Sequence, residues 1–362
     1  MTSDHSVIPT TPGQITVEWL SSALHDAGAL ADATVIERVT VEAIGDLGGV
    51  NGETYRVRIA YAQGDGPASL VAKFPADRQG PRRTAAFQRW YEREVSFYTT
   101  LAAGSGVRTP RCYAASIADG GDYVLLLEDL DAWRQGDQIA GCDVEDARAA
   151  VEAIARLHAR WWDAPPPAGD AMPETTIGLD RAERVQGAVE RAWARAREAS
   201  ALPPAVAARM PALVEGYVSL LRRMASSPVT VVHGDYRLDN LFFDEQGGVT
   251  AIDWQFVCRC RGMYDVAYFI GLDLDPAVRR THERGLIEAY LDALRAAGVQ
   301  GYDAAAGWDD YRRGLLLGFV VFLIGAGAEQ PNERMARVHE VGLARLASAL
   351  EETDAFSVLD GA

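Results

Sequence analysis

The chain has 362 residues, enough for two hydrophobic cores, with 48% hydrophobic and 24% charged residues, an ordinary globular balance. Its net charge of −16 argues against a nucleic-acid partner, because phosphate backbones are bound by basic surfaces. No run approaches the roughly 18 apolar residues of a membrane span. The opening MTSDHSVIPTTPGQ has neither the basic nor the apolar region of a signal peptide. A cytoplasmic protein with no membrane partner is therefore expected.

In chain order, QITVEWLSSALHDAG (14–28) spaces Ile15, Leu20 and Leu24 along one helical face. TVIERVTVEAIG and ETYRVRIAY then read as two strands joined by GDLGGVNG (45–52), a turn carrying Gly45, Gly48, Gly49 and Gly52. SLVAKF makes a third strand, and TAAFQRWYEREVSFYTTLAA (84–103) has the spacing of one long helix. CYAASIA and DYVLLLEDL complete five strands. After residue 130 the pattern becomes helical. Asp143 is placed to cap a helix over 143–162, a proline-rich connector fills 163–176, and helices cover 181–199 and 204–226. A β-rich island spans 230–253, and helices resume to about 351. The expected organisation is α+β in two lobes: a β-rich N-lobe over 1–128 and a mainly helical C-lobe over 129–362, with a hinge at Glu128 to Leu130.

The island reads VTVVHGDYRLDNLFFDEQGGVTAIDWQF (229–256). Its strand, polar loop, strand, turn and return strand bring Asp235, Asn240 and Asp253 to the mouth of one turn. Two carboxylates and an amide oxygen suit a hard cation such as Mg²⁺. Each residue alone could equally be a turn or cap residue. One further observation weighs against chance. Lys73, in SLVAKF, is the only lysine of the chain, the other 34 of its 35 basic residues being arginine. An ammonium is a compact point charge, whereas a guanidinium is a wide planar fork, so a site crowded by phosphate oxygens would keep lysine. The four cysteines, Cys112, Cys142, Cys258 and Cys260, form neither a C-x-x-C pair nor a zinc pattern and read as buried or incidental thiols.

The segments GGVNGETYRVRIAY, LVAKFP, YEREVSFY, LLLEDL, HGDYRLDN and IDWQF…YDVAYFI succeed one another in this order. Together the set resembles the aminoglycoside phosphotransferase/choline kinase group of small-molecule kinases, and within it the ecdysteroid-kinase-like and bacterial phosphotransferase branch. The resemblance covers roughly residues 35–350. It implies a bilobal protein-kinase-like fold, ATP and Mg²⁺ as cofactors, and a small-molecule alcohol as substrate. It implies that Lys73 holds the α- and β-phosphates and that Glu94 holds Lys73, with Glu92 as the alternative partner. Main-chain groups of Glu128 and Leu130 would bind the adenine edge, and the turn of Gly48 and Gly49 would cover the phosphates. Asp235 would take the proton of the substrate hydroxyl, while Asn240 and Asp253 would ligate Mg²⁺.

By the same resemblance His233 and Asp265 are structural, the first packing beneath the catalytic loop and the second bracing it. Arg237 and Asp239 carry no assigned role, though Arg237 could meet a phosphate or an anionic substrate. Trp161 and Trp162 read as core. A protein kinase needs a long activation segment ending in an A-P-E-like anchor. Only 11 residues separate Asp253 from Asp265 and no A-P-E occurs, which favours a small acceptor. Alternative readings are a catalytically silent nucleotide-binding scaffold of the same fold and a kinase dedicated to antibiotic resistance. A cationic antibiotic would want an acidic cleft, for which Asp273, Asp275 and Glu283 are candidates.

Overall fold

The computed structural model describes residues 8–44, 52–118, 121–166, 172–199, 201–327 and 332–359. The chain divides into two compact units, Met1–Ala103 with Thr109–Ala132, and Gly104–Arg108 with Trp133–Ala362.

In the first unit, α1 (Val17–Asp26) starts at Thr16, whose hydroxyl accepts the Trp19 N–H. Five strands come next: β1 (Val35–Ala43), β2 (Gly52–Gln63), β3 (Ser69–Pro75), β4 (Cys112–Ile117) and β5 (Tyr123–Glu128). They form one sheet of order β1-β2-β3-β5-β4 with every neighbouring pair antiparallel. The alternation of β3 decides its two faces. Leu70, Ala72 and Phe74 are buried in one cluster with Leu20 and Leu24 of α1, Val57 of β2 and Val124 and Leu126 of β5. Lys73 therefore projects from the opposite face. Between β3 and β4 lie α2 (Gln79–Gln88) and α3 (Trp90–Ser96).

The single helix expected over 84–103 is broken. Arg89 adopts a left-handed conformation, φ +57, which ends α2 and starts α3 in a new direction. A further turn, Phe97–Leu101, is widened into a π-helix. Apolar spacing cannot register one left-handed arginine, which carries none of the composition signals of a helix stop.

The second unit contains α4 (Val144–Arg160), α5 (Ala182–Glu198), α6 (Pro204–Met224), α7 (Met263–Asp273), α8 (Pro276–Ala296), α9 (Ala304–Ala326) and α10 (Glu333–Glu352). Asp143 caps α4 as expected, accepting from the N–H groups of Glu145 and Asp146. Short strands β6 (Arg134–Gln135), β8 (Leu241–Phe243) and β9 (Val249–Ala251) form one small antiparallel sheet. β7 (Thr230–Val232) and β10 (Cys258–Cys260) form another. The helical reading after residue 253 is corrected by β10, in which Cys258 lies opposite Val232 and Cys260 opposite Thr230. Two- and three-residue strands are too short for a period-2 signal.

All eleven residues of α7 are buried, and it packs against α9, α10, α8 and α4. A helix apolar on nearly every side belongs at the centre of a core. Its few polar groups are consequently forced to find partners inside the protein.

The packing of the first unit is open to a direct check. Leu126→Ala empties a fully buried position of its cluster. It should lower the stability of that unit by about 2–5 kcal/mol in denaturant unfolding. The change Val35→Thr, at a residue 49% exposed, should stay within about 0.5 kcal/mol.

Candidate active site

In the first unit, the face of β3 opposite the apolar cluster presents Lys73, and its Nζ lies 2.6 Å from Oε1 of Glu94 on α3. Glu94, rather than Glu92, is thus the partner made by the fold. The pair is enclosed, with side-chain exposures of 16% for Lys73 and 2% for Glu94, so little solvent screens its opposite charges. Gly45, Gly48 and Gly49 lie outside the described residues. Gly52 opens β2 opposite Pro75.

Glu128 ends β5, with its N–H donating to Arg111 O at 2.8 Å and its carboxylate accepting the Arg111 N–H at 3.1 Å. Leu130 is buried. Between them Asp129 receives both Nε (2.7 Å) and Nη2 (3.2 Å) of Arg56, which also reaches Asp131 at 2.8 Å. A two-pronged guanidinium contact of this kind fixes geometry as well as charge. Residues 128–131 are thereby tied to β2 and to the start of β4.

In the second unit, the loop between β7 and β8 carries His233, Gly234, Asp235, Arg237 and Asn240. Gly234 has φ +86, and a Cβ there would lie 2.3 Å from the Phe256 carbonyl oxygen. Only glycine makes this turn at that distance. His233 donates from Nε2 to Ile252 O at 2.8 Å, so its Nδ1 accepts the Asp235 N–H at 3.2 Å. With the ring against Trp254, centroids 4.4 Å apart, the histidine is a strut beneath the loop. Asp265 of α7 accepts the His233 N–H on Oδ2 at 2.7 Å and the Gly234 N–H on Oδ1 at 2.9 Å. The structural placing expected for both residues agrees with these contacts.

The Asp235 carboxylate is held by three donors. Arg237 Nε and Asn240 Nδ2 each reach Oδ2 at 3.0 Å, and the Tyr268 hydroxyl reaches Oδ1 at 3.1 Å. Burial pulls the Arg237 guanidinium toward losing its charge, but Asp235 and Asp239 more than reverse this. The side chain left unassigned by the sequence is thus a carboxylate partner. Asp239 binds Arg237, the Gln138 N–H and Arg334, fastening residues 135–138 to the loop. Tyr268 escaped the sequence reading altogether. Its signal was present: a hydroxyl one helical turn after Asp265, on a helix otherwise fit for a core.

Asn240 is committed through its nitrogen, which donates to the Asp235 carbonyl (2.9 Å) as well as the carboxylate. Its Oδ1 is the atom left for a cation. The Asn240 carbonyl accepts the Ile252 N–H at 3.0 Å, so the β8–β9 hairpin puts Asp253 next to it along the return strand. Asp253 has φ +66 and accepts the Gln255 amide on Oδ2 at 2.9 Å. Amide and carboxylate oxygens at one hairpin end are the hard donors that Mg²⁺ takes.

The three acids proposed for a cationic substrate are committed elsewhere. Asp275 caps α8 through the Ala277 N–H, and Glu283 binds Arg279 and the Tyr311 hydroxyl. Asp273 is fully buried and accepts the Leu238 N–H at 3.0 Å. Burial pushes its carboxyl well above the usual range, the Leu238 hydrogen bond drawing it only partway back. Among the thiols, burial pushes Cys112 up to about 12, so it is unreactive. Among the described residues no group of three or more His, Cys, Asp and Glu side chains is placed to hold a metal, and no helix is long and apolar enough to cross a membrane.

Two isosteric changes on α7 separate these roles. Asp265→Asn places an amide against two N–H donors and should cost about 1–3 kcal/mol with loss of the loop's order. Asp273 uses only one oxygen among the described residues, and burial shifts its carboxyl toward the protonated form, which an amide resembles. Asp273→Asn should therefore leave the unfolding midpoint nearly unchanged at neutral pH.

The family model described as "Phosphotransferase enzyme family" matches residues 44–311. No curated protein matches the sequence. Among solved structures, a microcompartment-associated aminopropanol kinase superposes with a TM-score of 0.55 at 16% identity, covering 94% of this chain and 99% of its own. An ethanolamine kinase from Plasmodium vivax gives 0.53 at 12%, covering 92% and 87%. The GDP complex of an aminoglycoside 2′-phosphotransferase gives 0.52 at 13%, covering 93% and 97%. These likenesses show the kinase-like fold, with a β-sheet N-terminal region and a mostly helical C-terminal region.

Proposed function

The chain belongs to the phosphotransferase enzyme family, and from that premise we propose that it transfers the γ-phosphoryl group of Mg·ATP to a hydroxyl of a small molecule. The observation that carries this reading is the environment of Asp235. A carboxylate held by Arg237, Asn240 and Tyr268 is fixed in place and still 13% exposed, as a proton acceptor must be. The same Asn240 turns its remaining oxygen to the metal role beside Asp253.

Phosphoryl transfer asks a protein for positioning and charge neutralisation more than for covalent chemistry. Lys73, held by Glu94, supplies a compact cation for the α- and β-phosphates. The main chain at Glu128 and Leu130 takes the adenine edge, and the Arg56–Asp129 contact keeps that segment rigid. Asn240 and Asp253 would hold Mg²⁺, whose charge would offset that of the phosphates. Asp235 orients the acceptor hydroxyl and takes its proton as the phosphorus–oxygen bond forms.

The short span from Asp253 to Asp265 supports a small acceptor. It is occupied by a single 3₁₀ turn (Trp254–Phe256), β10 and the start of α7, with no extended segment to carry a peptide. The internal use of Asp273, Asp275 and Glu283 speaks against a dedicated polycationic substrate.

The test is ADP release from Mg·ATP, with and without a panel of aminoglycosides, sterols and hydroxyacyl thioesters. Release stimulated by one class, reduced roughly 10²–10⁴-fold in Asp235→Asn with ATP binding kept, is expected. Stimulated release that survives in the variant would remove Asp235 from its role. Lys73→Arg should lower turnover up to about a hundredfold by displacing the phosphates, and unchanged turnover would contradict the need for the chain's one lysine.

A further inference from the structure

The two oxygens of Asp235 are not equivalent. A carboxylate offers about four lone-pair sites, two on each oxygen. Oδ2 has both of its sites taken, by Arg237 Nε and Asn240 Nδ2. Oδ1 has one donor among the described residues, the Tyr268 hydroxyl, and one site open. Resting on the phosphotransferase reading above, we propose that Oδ1 is the atom that receives the acceptor proton, and that Tyr268 is the positioning residue that aims it.

The tyrosine is built for this. It is 2% exposed on the fully buried α7, three residues beyond Asp265, which holds the same loop. Its ring stacks on Tyr264 (centroids 5.7 Å apart) and meets Phe322 edge-on at 5.9 Å. Gly318 of α9 leaves the remaining space, since a Cβ there would stand 2.9 Å from the ring's Cδ2. With its ring confined on these sides, the hydroxyl has little freedom except to rotate its proton. Burial, reinforced by Asp235, raises the phenol well above its ordinary range, so it remains a donor.

In the transfer step the acceptor oxygen bonds to the γ-phosphorus while its proton passes to Asp235 Oδ1. The bond from the γ-phosphorus to the β,γ-bridging oxygen breaks, and ADP leaves with that electron pair. Tyr268 keeps its own proton throughout. It loads one lone pair of Oδ1 and leaves the other directed at the acceptor, which a carboxylate free to rotate would not do. Orientation of this kind affects the transition state and leaves nucleotide binding untouched.

The experiment is steady-state turnover of Mg·ATP, with water as the acceptor, by wild-type protein, Tyr268→Phe, Gly318→Ala and Asp235→Asn, each with its thermal midpoint. Tyr268→Phe should lower kcat by about tenfold to a hundredfold, the effect of one hydrogen bond to a charged group. KM for Mg·ATP should stay within about twofold and the midpoint should hold. Gly318→Ala keeps the hydroxyl but presses on the ring, and should lower kcat in the same way. Wild-type kcat in either variant overturns the inference, as does a loss of kcat that comes only with a raised KM and a lowered midpoint. Where water supports no turnover, the same variants are compared with the alcohol of the panel that stimulates ADP release; failure of the wild type to turn over Mg·ATP with water and with every alcohol of the panel would instead overturn the phosphotransferase reading, and the inference with it.

Discussion

One buried helix holds the loop between β7 and β8 at three points. α7 meets residues 233 and 234 through Asp265, residue 235 through Tyr268 and residue 238 through Asp273. A loop has no regular hydrogen-bonding ladder of its own, so its main-chain donors must be satisfied by something rigid. Here that is a helix with every residue buried. Asp265 is the main anchor. Its two oxygens accept adjacent N–H groups, and His158, itself bonded to the Tyr290 hydroxyl, sits against Oδ2 at 3.2 Å. A buried carboxylate without such donors would be costly, and two buried N–H groups without the carboxylate equally so. The stability of the core and the geometry of the loop are therefore the same interaction seen from two sides.

The first unit solves a similar problem with a strand. The period of two along β3 sends Leu70, Ala72 and Phe74 into the apolar cluster and Lys73 the other way. Register with β2 and β5 sets the height of Lys73 within the sheet, opposite Thr54 and Leu125. Glu94 then reaches it from a short helix whose direction is set by the left-handed Arg89. Breaking the enclosed pair by removing one partner would leave a charge with little solvent, an arrangement that proteins keep where position matters.

Much of this was legible in the sequence, and the limits have physical causes. The five strands and their order along the chain were readable because each is six residues or more with alternating or apolar character. The helices over α4, α5 and α6 were readable from spacing and caps, Asp143 among them. The HGDYRLDN and IDW segments pointed to Asp235, Asn240 and Asp253 because loop residues are free of packing demands and their chemistry shows. β6 and β10 were not readable, being pairings of two and three residues whose partners are distant in sequence. The break at Arg89 was hidden because one residue's dihedral leaves no compositional trace. The three candidate acids show the same limit from another side. Asp273, Asp275 and Glu283 look alike in a chain of net charge −16, and only burial and partners show that they cap, brace and pair internally.

Carboxylates and a hard-cation site would suit a phosphohydrolase as well as a transferase to an alcohol. The distinction lies in where the γ-phosphorus ends. Phosphorus-31 NMR of Mg·ATP incubated with the wild-type protein and a stimulating alcohol tracks that atom directly. A phosphate-ester resonance growing in step with ADP, with little inorganic phosphate, is the predicted result. Quantitative appearance of inorganic phosphate, whichever alcohol is present, would contradict it.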